Sequence, residues 1–297
     1  MHDMASNPLS YHDGKWLEGN PPLLGPMDHS WWMGSSVFDG ARAFGGLAPD
    51  LDRHCARIVR SAEEFGITPE IDAAAIEALC WEGIERFGAD AELYIRPMFY
   101  FTDGFVVPDY AGARFILSVF ESPLPKWHGV SACQVPFRRP APDMAPTNAK
   151  AACLYPNVIR AMTAARKKGF ETAMVLDGLG NVAEFATNNL FIVKDGVVRT
   201  PVANGSFLAG ITRARVMSLL RGAGVALEEA TLSVADVLAA DEVFLSGNYA
   251  KVLPVTRVDE ADYEIGPLAR QARRLYFEFA EREGRRRTAP VAIPAGL

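Results

Sequence analysis

Four cysteines in 297 residues, Cys55, Cys80, Cys133 and Cys153, are too few and too scattered for a disulfide framework. They form no C-x-x-C pair and have no histidine partners at zinc spacing, so reduced thiols in or near the core are expected and a metal site is not. His54 beside Cys55 does not change this, because adjacent residues on a helix diverge by about 100°. No uninterrupted apolar run approaches the roughly 20 residues that span a bilayer, and residues 1–10 lack a basic segment followed by an apolar one. A cytoplasmic protein with no membrane partner is expected. Excess positive charge is also missing: 30 Lys and Arg against 36 Asp and Glu give a net charge of −6, with no basic stripe to meet nucleic acid phosphates. There is no internal repeat or low-complexity tract.

What is present is ample apolar material, 49% of residues, enough to bury a core in one large or two medium domains. Residues 51–65 and 71–87 carry spaced apolar positions and stop at Gly66 and Gly88, the pattern of two amphipathic helices. Residues 93–101 and 114–120 are rich in aromatic and branched side chains and read as strands around a loop at 102–112. The proline-rich stretch from Glu121 to Gly129 suits an interdomain connection. Beyond it, 152–168 reads as a helix, 171–176 as a strand, and 189–193 with 197–200 as a hairpin through Lys194-Asp195-Gly196. Gly210 opens a helix to about Gly222, residues 243–246 form a short strand before Gly247, and 268–282 a closing helix. Arg285-Arg286-Arg287 and the rest to 297 read as a solvated tail. The expected division is a small N-terminal α/β domain at 1–124, a linker at 125–133, a larger C-terminal domain at 134–284 with the key lysine, and a tail at 285–297.

Taken singly, no polar residue decides the chemistry. Lys150 lies in a loop before a small-residue helix start, Glu184 in an otherwise neutral strand, Arg57 on a helix, and Gly210 and Gly247 lead turns suited to an anion. Together they match the needs of a carbonyl cofactor. A lysine that attacks a carbonyl must be able to lose its proton, which partial burial or nearby positive charge promotes. A pyridinium electron sink needs an acidic partner, for which Glu184 is the candidate. A phosphate is held by backbone N–H groups at a helix start with an arginine; Gly210-Ile211-Thr212 supplies such a start, with the Thr212 hydroxyl as an added donor.

These residues resemble the branched-chain-aminotransferase-like group of fold-type IV pyridoxal-phosphate enzymes over roughly residues 11–282. The resemblance rests on Gly34-Ser35-Ser36-Val37-Phe38-Asp39-Gly40-Ala41-Arg42, His54-Cys55-Ala56-Arg57, Tyr94-Ile95-Arg96-Pro97, Ala149-Lys150-Ala151, Glu184 through Asn189-Leu190-Phe191, Gly210-Ile211-Thr212-Arg213 and Ser246-Gly247. It implies an α+β fold, with a small N-terminal domain, a larger C-terminal pseudo-barrel domain and pyridoxal 5'-phosphate between them. By resemblance, Lys150 forms the internal aldimine and shuttles the proton, while Glu184 pairs with the ring nitrogen and Tyr155 with the phenolic oxygen. Arg57, Ile211, Thr212 and Asn248 hold the phosphate, and Leu208 packs on the ring. The substrate site draws on Met33, Phe38, Gly40, Tyr94, Arg96, Val107, Tyr249 and Ala250, with Arg42 ordering it. One pocket must take both an aliphatic side chain and glutamate's carboxylate, which calls for apolar walls with Arg96 at the rim. Without the family, Tyr155 reads as a buried helix tyrosine and Arg57 as a surface arginine.

The implied activity is amino transfer between an L-branched-chain amino acid and 2-oxoglutarate, in a homodimer or larger assembly whose loop near Val107 reaches a neighbouring site. Three departures bear on the preferred substrate. Met33 stands where an aromatic is usual, Phe105-Val106-Val107 replaces a Gly-Met-Gly type turn, and Asn248-Tyr249 replaces small residues. The rivals within the fold are a transaminase for D-amino acids or (R)-amines and an aminodeoxychorismate lyase. A non-enzymatic binding protein of the same fold would need the lysine or glutamate to be missing.

Overall fold

The computed structural model describes residues 6–286, and the chain divides into two compact units. The first holds residues up to Leu124, the short segment Ala149–Cys153 and the chain from Ala280 onward; the second holds Pro125–Asn148 and Leu154–Phe279. The expected linker at 125–133 is therefore only partly a connection, since its last residues, from Val130, begin a strand. The segment with Lys150, expected in the C-terminal domain, groups with the first unit.

The first unit is a six-stranded antiparallel sheet with helices. Its strands are β1 (Ser6–His12), β2 (Lys15–Glu18), β3 (Ser36–Phe38), β4 (Ala41–Ala43), β5 (Leu93–Phe101) and β6 (Ala113–Glu121), ordered β2-β1-β6-β5-β3 with β4 also on β5. β5 pairs with β6 along its whole length, Leu93 opposite Glu121 and Phe101 opposite Ala113. Leu93, Ile95, Pro97 and Phe99 are buried, so strand alternation sends Tyr94 and Arg96 to the other face. After the short α1 (His29–Met33) come α2 (Leu51–Glu64) and α3 (Ala73–Glu85). In α2 the buried Leu51, His54, Cys55, Ile58, Ser61 and Ala62 follow helical spacing. Asp72 caps α3, its carboxylate accepting from Ala75 N at 2.8 Å.

The second unit is a nine-stranded sheet ordered β12-β11-β10-β13-β14-β7-β8-β9, with β15 on β14. The strands are β7 (Val130–Arg138), β8 (Thr172–Leu176), β9 (Val182–Phe185), β10 (Asn189–Lys194), β11 (Val197–Pro201), β12 (Leu227–Ala230), β13 (Glu242–Gly247), β14 (Lys251–Val258) and β15 (Ala261–Asp262). The sheet curls until β9 touches β10 and β11, giving the pseudo-barrel. Leu190, Ile192, Val243, Leu245, Leu253 and Val255 fill one face, while their neighbours Phe191, Val193, Phe244 and Val252 pack on the other with helix residues. The helices are α4 (Tyr155–Lys167), α5 (Ile211–Gly222), α6 (Val234–Leu238) and α7 (Pro267–Glu283). The hairpin β10–β11 turns at Asp195 and Gly196, both with positive φ (51° and 74°), as a tight primed turn requires.

Cys55, Cys80 and Cys133 are buried, but Cys153, expected in or near the core, is exposed. Arg286, expected in a free tail, pairs with Glu85; the tail from 287 lies outside the described residues. Among the described residues no helix is long and apolar enough to cross a membrane, and no group of three or more His, Cys, Asp or Glu could hold a metal ion.

Candidate functional site

In the first unit the Lys150 backbone is fixed on both sides. Its N–H donates to Ser61 Oγ at 3.1 Å, and its carbonyl accepts from Phe38 N at 3.0 Å. Ala149 and Ala151 are buried, so only the half-buried lysine side chain is left to project, with Nζ 4.9 Å from the centre of the Phe38 ring. Arg57, a surface arginine on sequence grounds alone, is 8% exposed. It donates to Asp39 through Nε at 2.6 Å and Nη2 at 2.8 Å. Asp39 is fully buried and also meets His54 Nδ1 at 2.7 Å. Burial alone would raise the Asp39 carboxyl; the charge and hydrogen bonds of Arg57, then those of His54, outweigh it and hold the group well below the usual carboxylate range. An ionised carboxylate only accepts, so His54 Nδ1 carries the hydrogen.

A Cβ at Gly40 would stand 2.1 Å from Tyr94 Oη, so a larger residue there would have to displace the tyrosine ring. Tyr94 stacks on Phe120 at 5.4 Å, and the Arg96 guanidinium lies over the same ring at 5.4 Å. Arg96 is exposed, and among the described residues no carboxylate pairs with it. Arg42 is wholly buried and donates to the Ser122 hydroxyl and carbonyl, so it braces the strands. Met33 and Val107 are exposed, and near them the Trp32 and Phe105 rings meet at 5.6 Å.

In the second unit Glu184, on β9, is 6% exposed. Its Oε1 meets Arg139 Nη2 at 2.8 Å, and its Oε2 accepts from Asn189 Nδ2 at 3.2 Å. α5 begins at Ile211 with Thr212 buried, so the first amides of the helix are without intrahelical acceptors. A Cβ on Gly210 would stand 2.0 Å from Asn189 Oδ1, which ties the start of α5 to the residue that holds Glu184. Ser246 Oγ and Asn248 Nδ2 are buried and have no hydrogen-bond partner among the described residues. Lys251, fully buried at φ 63°, donates to Asn248 Oδ1 at 2.9 Å. An ammonium only donates, so the Asn248 NH₂ faces the other way. Tyr155 opens α4 half-buried, Leu208 is half-buried, Tyr249 is exposed at 39%, and Ala250, expected on the substrate, is packed in the barrel cluster.

Residues 36–258 match the family described as Amino-transferase class IV. The chain belongs to the class IV aminotransferases. An aminotransferase from Brucella abortus, solved bound to the cofactor PLP, is 46% identical, with a TM-score of 0.91 over 93% of this chain and 100% of that one. The branched-chain-amino-acid aminotransferase of Escherichia coli K12 is 32% identical over 90% of this chain and 91% of its own length. A T.th. branched-chain amino acid aminotransferase, complexed with N-(5'-phosphopyridoxyl)-L-glutamate, is 26% identical with a TM-score of 0.87, covering 94% of this chain and 96% of that one.

Each unit, taken by itself, carries groups of the chemistry that pyridoxal phosphate would need in a class IV aminotransferase. The group needs an amine for its aldehyde, an anion for its ring nitrogen and donors for its phosphate. The first unit offers Lys150 and Arg57; the second offers Glu184, the start of α5 and the unsatisfied donors of Ser246 and Asn248. Asp39, Arg139, Asn189, Ser246 and Lys251 escaped the sequence reading as site residues. Asp39, Asn189 and Ser246 stood inside the quoted motifs and could have been found there; Arg139 and Lys251 carried no local signal.

Proposed function

We propose that this chain is a pyridoxal-phosphate-dependent aminotransferase that passes the amino group of an L-branched-chain amino acid (leucine, isoleucine or valine) to 2-oxoglutarate. The observation that carries the reading is Lys150: in a class IV aminotransferase, a lysine with its backbone bonded on both sides, flanked by buried alanines, presents one half-buried amine. Bound pyridoxal phosphate supplies the electron sink that lets a Cα proton leave. Lys150 binds the cofactor and moves that proton, Glu184 keeps a proton on the ring nitrogen, and Tyr155 donates to the phenolic oxygen. Arg57, Ile211, Thr212 and Asn248 hold the phosphate, with Leu208 against the ring.

For the substrate, Phe38, Met33 and Val107 supply apolar surface, and Gly40, Tyr94 and Tyr249 shape the backbone and phenol contacts. Arg96 meets a distal carboxylate, and Arg42 orders its surroundings. The branched-chain donor is supported by the name of the Escherichia coli relative, and glutamate by the ligand of the T.th. enzyme. A cytoplasmic homodimer or larger homo-oligomer is part of the proposal. Exposed Trp31, Trp32, Phe105, Val106 and Val107 make a surface that a second copy would cover.

Steady-state transfer to 2-oxoglutarate from L-leucine, D-alanine and (R)-phenylethylamine tests the reading. L-Leucine is expected to be the productive donor; rapid turnover of D-alanine with none of L-leucine would overturn the branched-chain assignment.

A further inference from the structure

Arg139 follows directly on β7, where its N–H donates to Leu176 O at 2.8 Å, and its side chain runs across to β9. There Nη2 meets both Ala186 O at 2.6 Å and Glu184 Oε1 at 2.8 Å, with the two side chains 14% and 8% exposed. Its Nε is buried and has no hydrogen-bond partner among the described residues. Of the neighbours on the two sides of the carboxylate, Arg139 is charged and Asn189 neutral. A fold seeking only stability gains little here, because a buried ion pair roughly offsets its own desolvation and an unsatisfied guanidinium N–H adds to the cost.

We propose that Arg139 is a positioning residue that drives the proton shared by Glu184 and the cofactor's ring nitrogen onto the nitrogen. The inference rests on the assignment of Glu184 given above. With pyridoxal phosphate bound, a single proton would be shared between the carboxylate and the ring nitrogen, and it could sit on either. The guanidinium touches the carboxylate oxygen directly, and a base hydrogen-bonded to that carboxylate would lie beyond it. Its field therefore stabilises the ionised carboxylate more than it destabilises the protonated ring. No bond other than O–H and N–H changes, and no further reactant is needed. Asn189, whose Oδ1 occupies the space that a Cβ on Gly210 would need, holds the second oxygen with a neutral donor, while Arg139 brings a charge to the first.

The test is the nitrogen-15 signal of ring-labelled pyridoxal phosphate in the loaded enzyme at neutral pH, in wild type, Arg139→Gln, Arg139→Lys and Glu184→Gln. Arg139→Gln keeps a donor but removes the charge. The wild-type nitrogen is expected at the protonated position, Arg139→Gln at or near the unprotonated one, and Arg139→Lys restored toward wild type. Removal of the Cα proton from leucine in a single turnover should slow by about 10- to 100-fold in Arg139→Gln. In the cofactor-free protein, the carboxyl carbon of Glu184 should titrate at least about one pH unit higher in Arg139→Gln than in wild type. A folded Arg139→Gln with the wild-type nitrogen signal overturns the inference while leaving Glu184 in place. An unprotonated nitrogen in wild type, or a Glu184→Gln signal like wild type, overturns the assignment of Glu184 and the inference with it. Should Arg139→Gln not fold, Arg139→Lys decides, because a folded lysine variant with an unprotonated nitrogen contradicts a role for the charge.

Discussion

Asp39 receives Arg57, His54 and its own neighbour Gly40 N while shut off from solvent, so its charge is a fixed part of the first unit. Its folded-state carboxyl lies below the unfolded value, so the stability it contributes is fully present above the unfolded value of about 3.9 and is lost as pH falls through the folded one. Asp39→Asn leaves Arg57 buried without its counter-charge. It should cost about 3–5 kcal/mol at neutral pH and flatten the acid-side decline of stability, both read from denaturant melts across pH. A variant as stable as wild type, with the same acid slope, would mean that the pair is not coupled to folding. The same substitution should weaken cofactor binding, since Asp39 sets the direction of the Arg57 fork.

At the level of elements, the start of α5 is where packing and the proposed chemistry meet. Gly210→Ala places a methyl against Asn189 Oδ1 and should cost about 1–3 kcal/mol of stability and lower affinity for pyridoxal phosphate. At the other end of the same helix Gly222 has open space around its Cβ position, and Gly222→Ala should be neutral or stabilising by up to about 1 kcal/mol. Thermal melts with and without cofactor compare the two; equal effects would remove the argument from packing. Elements with their own punctuation were legible in the sequence: α2 and α3 by apolar spacing, β10–β11 by Asp195-Gly196, β5 and β6 by aromatic and branched content. Short pieces such as α1, β4, β12 and α6 were not, because five residues or fewer carry too little periodicity. Lys150, Glu184 and Arg57 were legible as a pattern, but Arg139 was not, because its partner is 45 residues away on another strand and only the sheet order β7-β8-β9 joins them.

At the scale of the whole molecule, the exposed Trp32–Phe105 contact and its apolar neighbours are the surface for a proposed second copy. Phe105→Asp should therefore lower the sedimentation coefficient toward that of a single chain, and an unchanged assembly would show that the patch has another use. The whole proposed chemistry depends on which amine carries the cofactor. Reduction of the pyridoxal-phosphate-loaded protein with borohydride, followed by peptide mass mapping, tests it most directly. One modified peptide is expected, with the added pyridoxyl phosphate on Lys150 and none in Lys150→Ala; a cofactor fixed to any other lysine, or no fixation in wild type, would show that Lys150 does not carry it.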